Sequence, residues 1–241
     1  MKRLLFIIIV VILAAGCERE DRLVSIDVIP SIEAYVGEKI ILEVSHSPSN
    51  SLAPAIIFNT NNRFVASVNK GGDIVCNHVG TCTIMAATAD TRFSTACTVV
   101  VKPTVELFDE PVLDFNITKT AVKLKENGKT IVYETAEMLV YQEIKHPVQH
   151  VAYQFDENQK LKSATTILSN NQPSRLTDFM TERYERFPSE DTKDLQVWKG
   201  NEIEALTKTV ADVCFVVYHP FSGKSTCTSA INTIETIRRV L

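Results

Sequence analysis

Three absences narrow the reading of this 241-residue chain. Basic residues are neither in excess nor in runs: 25 Lys and Arg stand against 29 Asp and Glu, for a formal net charge of −4. A mildly acidic chain of this kind carries no electrostatic footprint for nucleic acid, and no such partner is expected. The apolar stretch from Leu4 to Gly16 stops short of the roughly 20 residues that a bilayer-spanning helix needs. No two cysteines have Cys-x-x-Cys spacing, which removes the usual structural zinc site.

Catalytic signatures are missing as well. Neither a Gly-x-Ser-x-Gly elbow nor a His-Glu-x-x-His pair occurs. "GKST", Gly223 to Thr226, invites a phosphate-loop reading, but Tyr218 stands where that loop needs a second glycine. It reads as a hairpin turn. His146 and His150 have helical zinc spacing, yet Pro147 lies between them and strand candidates flank both. His46, His78 and His219 are scattered. No catalytic residue, cofactor or metal site is therefore expected, although a pair of ordinary carboxylates would leave no signature.

What is present begins at the N-terminus. Lys2-Arg3, an apolar stretch and then Ala14-Ala15-Gly16 form a signal-peptide layout. Leu13-Ala14-Ala15-Gly16-Cys17 resembles the bacterial lipobox. That resemblance implies a signal peptide over residues 1–16, a diacylglycerol on the Cys17 thiol and a lipidated tether over 17–22. The membrane is then a partner through the N-terminal lipid, each buried CH₂ contributing about 0.8 kcal/mol. Glu18 after the cysteine implies, by the same resemblance, the outer membrane, and the acidic Glu18-Arg19-Glu20-Asp21 implies exposure at the cell surface. The alternative is a plain secretory signal with an incidental cysteine. Cleavage removes Lys2 and Arg3 and takes the net charge to −6.

Residues 23–103 read as short strands separated by turns. "LVSIDVIP" puts Val24, Ile26 and Val28 on one face, and "YVGEKIILEV" turns at Gly37 into a strand. Further strands lie in "AIIFNTNNRFVASV", "GGDIVCNHVGTCTIMAATAD" and "STACTVVVKP". Period-two patterning punctuated by Gly, Asn and Pro indicates an antiparallel β-sandwich. Val36-Gly37-Glu38, Phe58 with Asn59-Thr60-Asn61, Val65-Ala66-Ser67-Val68, Gly72 with Ile74, Gly80 to Ile84, and Val99-Val100-Val101 follow in order. This order resembles that of bacterial immunoglobulin-like (Ig-like) domains, group 2. The resemblance implies an all-β Ig-like sandwich and the spacing or adhesive role of such modules in surface proteins. Cys76, Cys82 and Cys97 share faces with apolar neighbours and should point into the sandwich, as buried thiols or with two of them bonded.

The passage "KPTVELFDEP" reads as a boundary, and residues 104–241 change character. Ile117, Ala121, Val122 and Leu124 space as a short helix ending at Asn127-Gly128. Strand candidates follow in "EMLVYQE", "HVAYQFD" and "KLKSATTIL". "PSRLTDFMTERYERF" is a longer helix with Ser174 as N-cap and Leu176, Phe179, Met180, Tyr184 and Phe187 on its apolar stripe. Glu182, Arg183, Glu185 and Arg186 read as its wet side. Strands follow in "DLQVWKG", "EIEALTKTV" and "DVCFVVYHP", then a closing helix with Ile231, Ile234, Ile237 and Leu241. The pattern is two αβββ-like units, an α+β fold with helices on one face of an antiparallel sheet. It is similar to the helix-on-sheet repeats of β-lactamase-inhibitor-type proteins, with no shared residue motif.

Cys214 and Cys227 flank a turn predicted at Pro220-Phe221 and are expected to form a disulfide across a hairpin. Trp198, at a strand end beside Lys199-Gly200, is the candidate ligand platform. Tyr141, Tyr153 and Tyr218 should be core. The function expected is a non-enzymatic envelope lipoprotein in which the Ig-like module presents the α+β domain for adhesion or for a protein or glycan ligand. The alternatives are an inhibitor of a protein such as an enzyme, or a carboxylate-based hydrolase.

Overall fold

The computed structural model describes residues 22–169, 173–192, 195–221 and 227–241. Cys17, the signal segment and "GKST" lie outside the described residues.

The first body comprises β1 (Ser25–Asp27), β2 (Ser31–Tyr35), β3 (Lys39–Ile41), β4 (Ser45–Ser47), β5 (Ile56–Thr60), β6 (Ala66–Val68), β7 (Asp73–Cys76), β8 (Gly80–Thr88) and β9 (Ser94–Lys102). One sheet has the order β2-β9-β8-β5, another β3-β7-β6, and β1 pairs with β4. β2 runs parallel to β9 while the other pairings are antiparallel. Two facing sheets of this order are the Ig-like sandwich arrangement. Alternation on β8 and β9 sends Cys82, Ile84, Cys97 and Val99 inward against Ile74, Cys76 and Leu42. Val24 departs from its expected face and is exposed, while Ile26 is buried. Gly72 has φ +86°, and a Cβ there would lie 2.9 Å from the Leu42 carbonyl and 3.1 Å from the Phe58 ring. Only glycine fits that crossing.

The second body is one antiparallel sheet of eight strands. It comprises β10 (Thr130–Glu134), β11 (Met138–Gln142), β12 (Val148–Phe155), β13 (Leu161–Ser169), β14 (Glu185–Arg186), β15 (Leu195–Lys199), β16 (Ile203–Val210) and β17 (Val213–Pro220). Helices α1 (Lys119–Lys125), α2 (Pro173–Arg183) and α3 (Cys227–Val240) accompany it. The order β10-β11-β12-β13-β17-β16-β15-β14 makes β13 and β17 the central pair. The chain thus runs twice through a helix and four strands, laid inward to the shared centre. Strands β10 and β14 are additions to the expected three per unit. Their neighbours were legible; these short edges were not.

The helices do not all lie on one face. Val122 of α1 and Phe179 and Met180 of α2 pack with Leu139, Tyr153 and Val216. Ala230, Ile234 and Ile237 of α3 pack with Val140, Ile167 and Val217 on the opposite face. The cause is visible in the central strands, which are apolar on both faces. β17 buries Cys214 through His219 without alternation, so each face needs a cover. α2 starts at Pro173, one residue before Ser174, and ends at Arg183. Phe187 falls beyond it and joins the α3 face instead.

The passage after Pro103 is a strap across the sheet rather than a loose connection. Val105, Leu107, Val112, Leu113, Phe115 and Ile117 pack on the α1–α2 face. Phe108 is buried and its ring lies 4.4 Å from that of Phe179. Tyr153, rising from β12, receives the Val112 N–H at 3.0 Å and donates its hydroxyl to Glu126. The strap thus shares the covering of that face with α1 and α2.

The expected Cys214–Cys227 disulfide does not form. Cys214 packs on the α1–α2 face and Cys227, at the start of α3, packs on the other. Cys227 opens a helix instead of a strand beside β17, so the sheet itself lies between the two side chains. Cys76, Cys82, Cys97 and Cys214 are buried free thiols.

Candidate functional site

The end of α2 joins the two bodies. Its Glu182 carbonyl accepts the Val79 N–H of the sandwich at 2.8 Å. The Glu182 carboxylate accepts the N–H of Thr104 at 3.0 Å and of Val105 at 3.0 Å, together with the Thr104 hydroxyl. Arg183 lays its guanidinium 3.6 Å from the centre of the Phe179 ring and donates to the Phe179 and Val105 carbonyls. These two side chains, expected on the wet side, are 9–11% exposed. A single helix pattern cannot show that a strap and a second body will cover its polar face.

Beside the joint lies a cleft of about 390 Å³. The sandwich supplies Asn62, Phe64 and Val79, and the β15–β16 turn supplies Gly200, Asn201 and Glu202. Glu110 from the strap and Arg183 and Tyr184 from the end of α2 form its base. One face of the Phe64 ring is stacked on His78, with centroids 4.0 Å apart and planes 4° from parallel. Gly200 permits the turn to approach, because a Cβ there would stand 3.2 Å from the Tyr184 ring.

The base of the cleft is a carboxylate among phenols. The Tyr184 hydroxyl donates to Glu110 at 2.7 Å, and the Arg183 guanidinium stands 3.8 Å away. Glu110 lies deep among protein atoms yet keeps 28% of its side chain open. Burial raises its pKa above the ordinary glutamate range, opposed by Tyr184, Arg183 and Tyr218. Burial also raises the phenol pKa values of Tyr184 and Tyr218 well above normal, with the Glu110 charge adding to both. Tyr218 is wholly buried, and the Glu110 carboxylate is the polar neighbour its hydroxyl acts on.

Other sequence-marked residues play different parts. Trp198 is 1% exposed and donates its indole N–H to Thr207 at 3.3 Å. It is not a surface platform. Its ring points into the α1–α2 face because β15 places Leu195 and Val197 on the other side; it borders a cavity of about 380 Å³ beneath α2. Tyr141, Tyr153 and Tyr218 are core residues. Glu126, Lys129 and Glu143 form a closed ion-pair chain at 2.7 and 3.1 Å, a structural network. Among the described residues no group of three or more His, Cys, Asp or Glu could hold a metal ion, and no helix is long and apolar enough to cross a membrane. The sequence marks Tyr184 only as part of an apolar stripe and Glu110 only as part of a boundary passage; their common approach to the cleft is what distinguishes them.

No family model and no curated protein matches the chain. Among solved structures it is similar to domains 4-9 of the surface layer protein SbsC, at 15% identity and TM-score 0.30, covering 85% of this chain and 28% of that one. Similarity to an intimin mutant of EHEC O157:H7 is at 12% identity and TM-score 0.26, over 51% of this chain and 86% of that one. SGBP-B of the Bacteroides ovatus mixed-linkage glucan utilization locus, in complex with a mixed-linkage heptasaccharide, is similar at 10% identity and TM-score 0.32, over 84% and 41% of the two chains. Likenesses this low carry no argument. The Ig-like assignment rests on strand order alone.

Proposed function

We propose that the chain is a non-enzymatic cell-envelope lipoprotein, held at the membrane by lipid on Cys17, that binds a protein or glycan ligand in the cleft between its two bodies. One observation carries the site: the two walls belong to different bodies, and the Glu182 joint fixes their spacing. A preorganised cleft loses little conformational entropy when it is filled. The sandwich is then one wall of the site as well as a spacer.

Two measurements test this reading. Labelled fatty acid should enter the wild-type chain and not Cys17→Ala. Capture from envelope and host extracts should be lost when Asn201→Trp plugs the cleft. Unlabelled wild-type protein overturns the anchor, and undiminished capture by the plugged variant overturns the site.

A second reading, an inhibitor that pairs with an enzyme, is favoured by the exposed edge strand β10. Ile131, Val132 and Tyr133 are 36–45% exposed there, and a free edge offers backbone groups to an extended segment. Val132→Pro should abolish such pairing and spare the cleft.

A further inference from the structure

The strap is fastened most lightly where it passes the base of the cleft. Thr104 and Val105 are tied to Glu182, and Val112 is tied to Tyr153. Between those ties, no backbone N–H from Glu106 to Glu110 makes a hydrogen bond among the described residues. Phe108 anchors the middle by packing. Beyond it the polar fastenings are two side chains. Asp109 pairs with exposed Lys145 at 3.0 Å, a contact that contributes little in water. Glu110 accepts from the Tyr184 hydroxyl at 2.7 Å. Segments held by so few hydrogen bonds open locally at low cost.

The Glu110 carboxylate is also crowded by charge of its own sign. Arg183 is the one cation among the described residues that line the cleft. It stands 3.8 Å from Glu110 and 3.9 Å from Glu182, and Glu202 lines the same cleft. Both separations exceed hydrogen-bond distance, and the guanidinium is already engaged by the Phe179 ring and by the Phe179 and Val105 carbonyls. Three carboxylates thus share one guanidinium. The other titratable groups facing Glu110 are the phenols Tyr184 of α2 and Tyr218 of β17. The sandwich wall of Asn62, Phe64, Val65 and Val79 adds no charge. Like charges around one counter-ion favour a proton on one of them. Glu110, enclosed by phenols, is the one whose pKa burial raises.

We infer that Glu110 is a proton-operated latch on the strap: protonated, it seals residues 109–111 against the end of α2, and ionised, it lets them lift and admit water to the base of the cleft. The latch is a property of the joint and does not depend on what the cleft binds. Its sign follows from linkage. Sealed, Glu110 holds its proton more tightly than when lifted into water, so sealing is strongest at low pH and is lost as the pH rises through the raised pKa.

Amide hydrogen exchange at Val112, the first tie beyond the latch, reads the opening once each rate is divided by its unstructured value at that pH. In the full chain, Val112 protection should rise at least about threefold from pH 8 to pH 5. The Glu110 carboxyl carbon signal should titrate with the same midpoint, above the ordinary glutamate value of about 4.3. Glu110→Gln, uncharged at every pH, should keep the acid level of protection throughout, while exposed Glu157→Gln should keep the wild-type slope. Buried His219, with its lowered pKa, weakens the whole fold in acid; that effect has the opposite sign and does not produce the expected gain. Protection that is flat or falls between pH 8 and pH 5, a carboxyl midpoint unrelated to it, or a Glu110→Gln variant that retains the wild-type slope overturns the inference. The first two readouts use the wild-type chain, so they refute the latch even if the variant folds poorly.

Discussion

The carboxylate of Glu182, in the last turn of α2, accepts the backbone N–H of Thr104 at 3.0 Å. That bond ties the sheet body to the segment that follows the last strand of the sandwich. Replacing Glu182 by Ala would leave the Thr104 and Val105 N–H groups without their acceptor. Loss of about 2–4 kcal/mol is expected, with smaller loss for Glu182→Gln. Chemical denaturation measures the energy and small-angle scattering the freedom gained between the bodies. An unchanged midpoint and scattering curve would show that the joint is held by other contacts.

The strap should behave as part of the core. Phe108 is 6% exposed against Phe179, so Phe108→Ala should cost about 3–5 kcal/mol, as for other buried aromatic truncations. Tyr153→Phe keeps the ring but removes the hydroxyl that meets Val112 and Glu126, and should cost about 1–3 kcal/mol. Comparable stability of Phe108→Ala and wild type would mean that the strap is dispensable.

Stability should fall as the solution is acidified from about pH 6.5 toward pH 4. His219 is 3% exposed, and its pKa is lowered from 6.5 to about 4, first by burial and then by the Lys162 charge. Below pH 6.5 the unfolded chain takes up this proton and the folded chain does not, so folding loses ground until the folded pKa is passed. The total is up to about 3 kcal/mol. His150 shifts the same way by burial. Urea denaturation at pH 7 and pH 5 should show a smaller difference for His219→Gln than for wild type, and an equal difference would remove His219 as the cause.

The thiols should be protected rather than bonded. Burial raises the pKa values of Cys76, Cys82, Cys97 and Cys214, whereas Cys227 is half-exposed. Alkylation of the native protein without reductant should modify Cys227 first, and unfolding should release the other four. Peptide mass mapping that found Cys214 joined to Cys227 would contradict their placement on opposite faces of the sheet.

Much of the architecture follows from local pattern. Alternating Cys82-Ile84-Ala86 and Cys97-Val99-Val101 specify strands with one buried side, and Gly72 marks a crossing that no other residue fits. The stripe of Phe179, Met180 and Tyr184 specifies the inward side of α2 because residues three and four apart share a helix face. What the chain alone leaves open is which polar residues end up enclosed. Glu182 and Arg183 look like solvent charges along the helix, and they become a joint only when the strap from Pro103 and the Val79 turn arrive beside them. Trp198 looks presentable beside Gly200, yet the register of β15 against β16 turns its indole to Thr207. Likewise Glu110 gains its role from Tyr184, 74 residues away in sequence. Periodicity encodes which face of an element is buried; only long-range packing decides what lies across from it, and the chemistry of this cleft lives in that second choice.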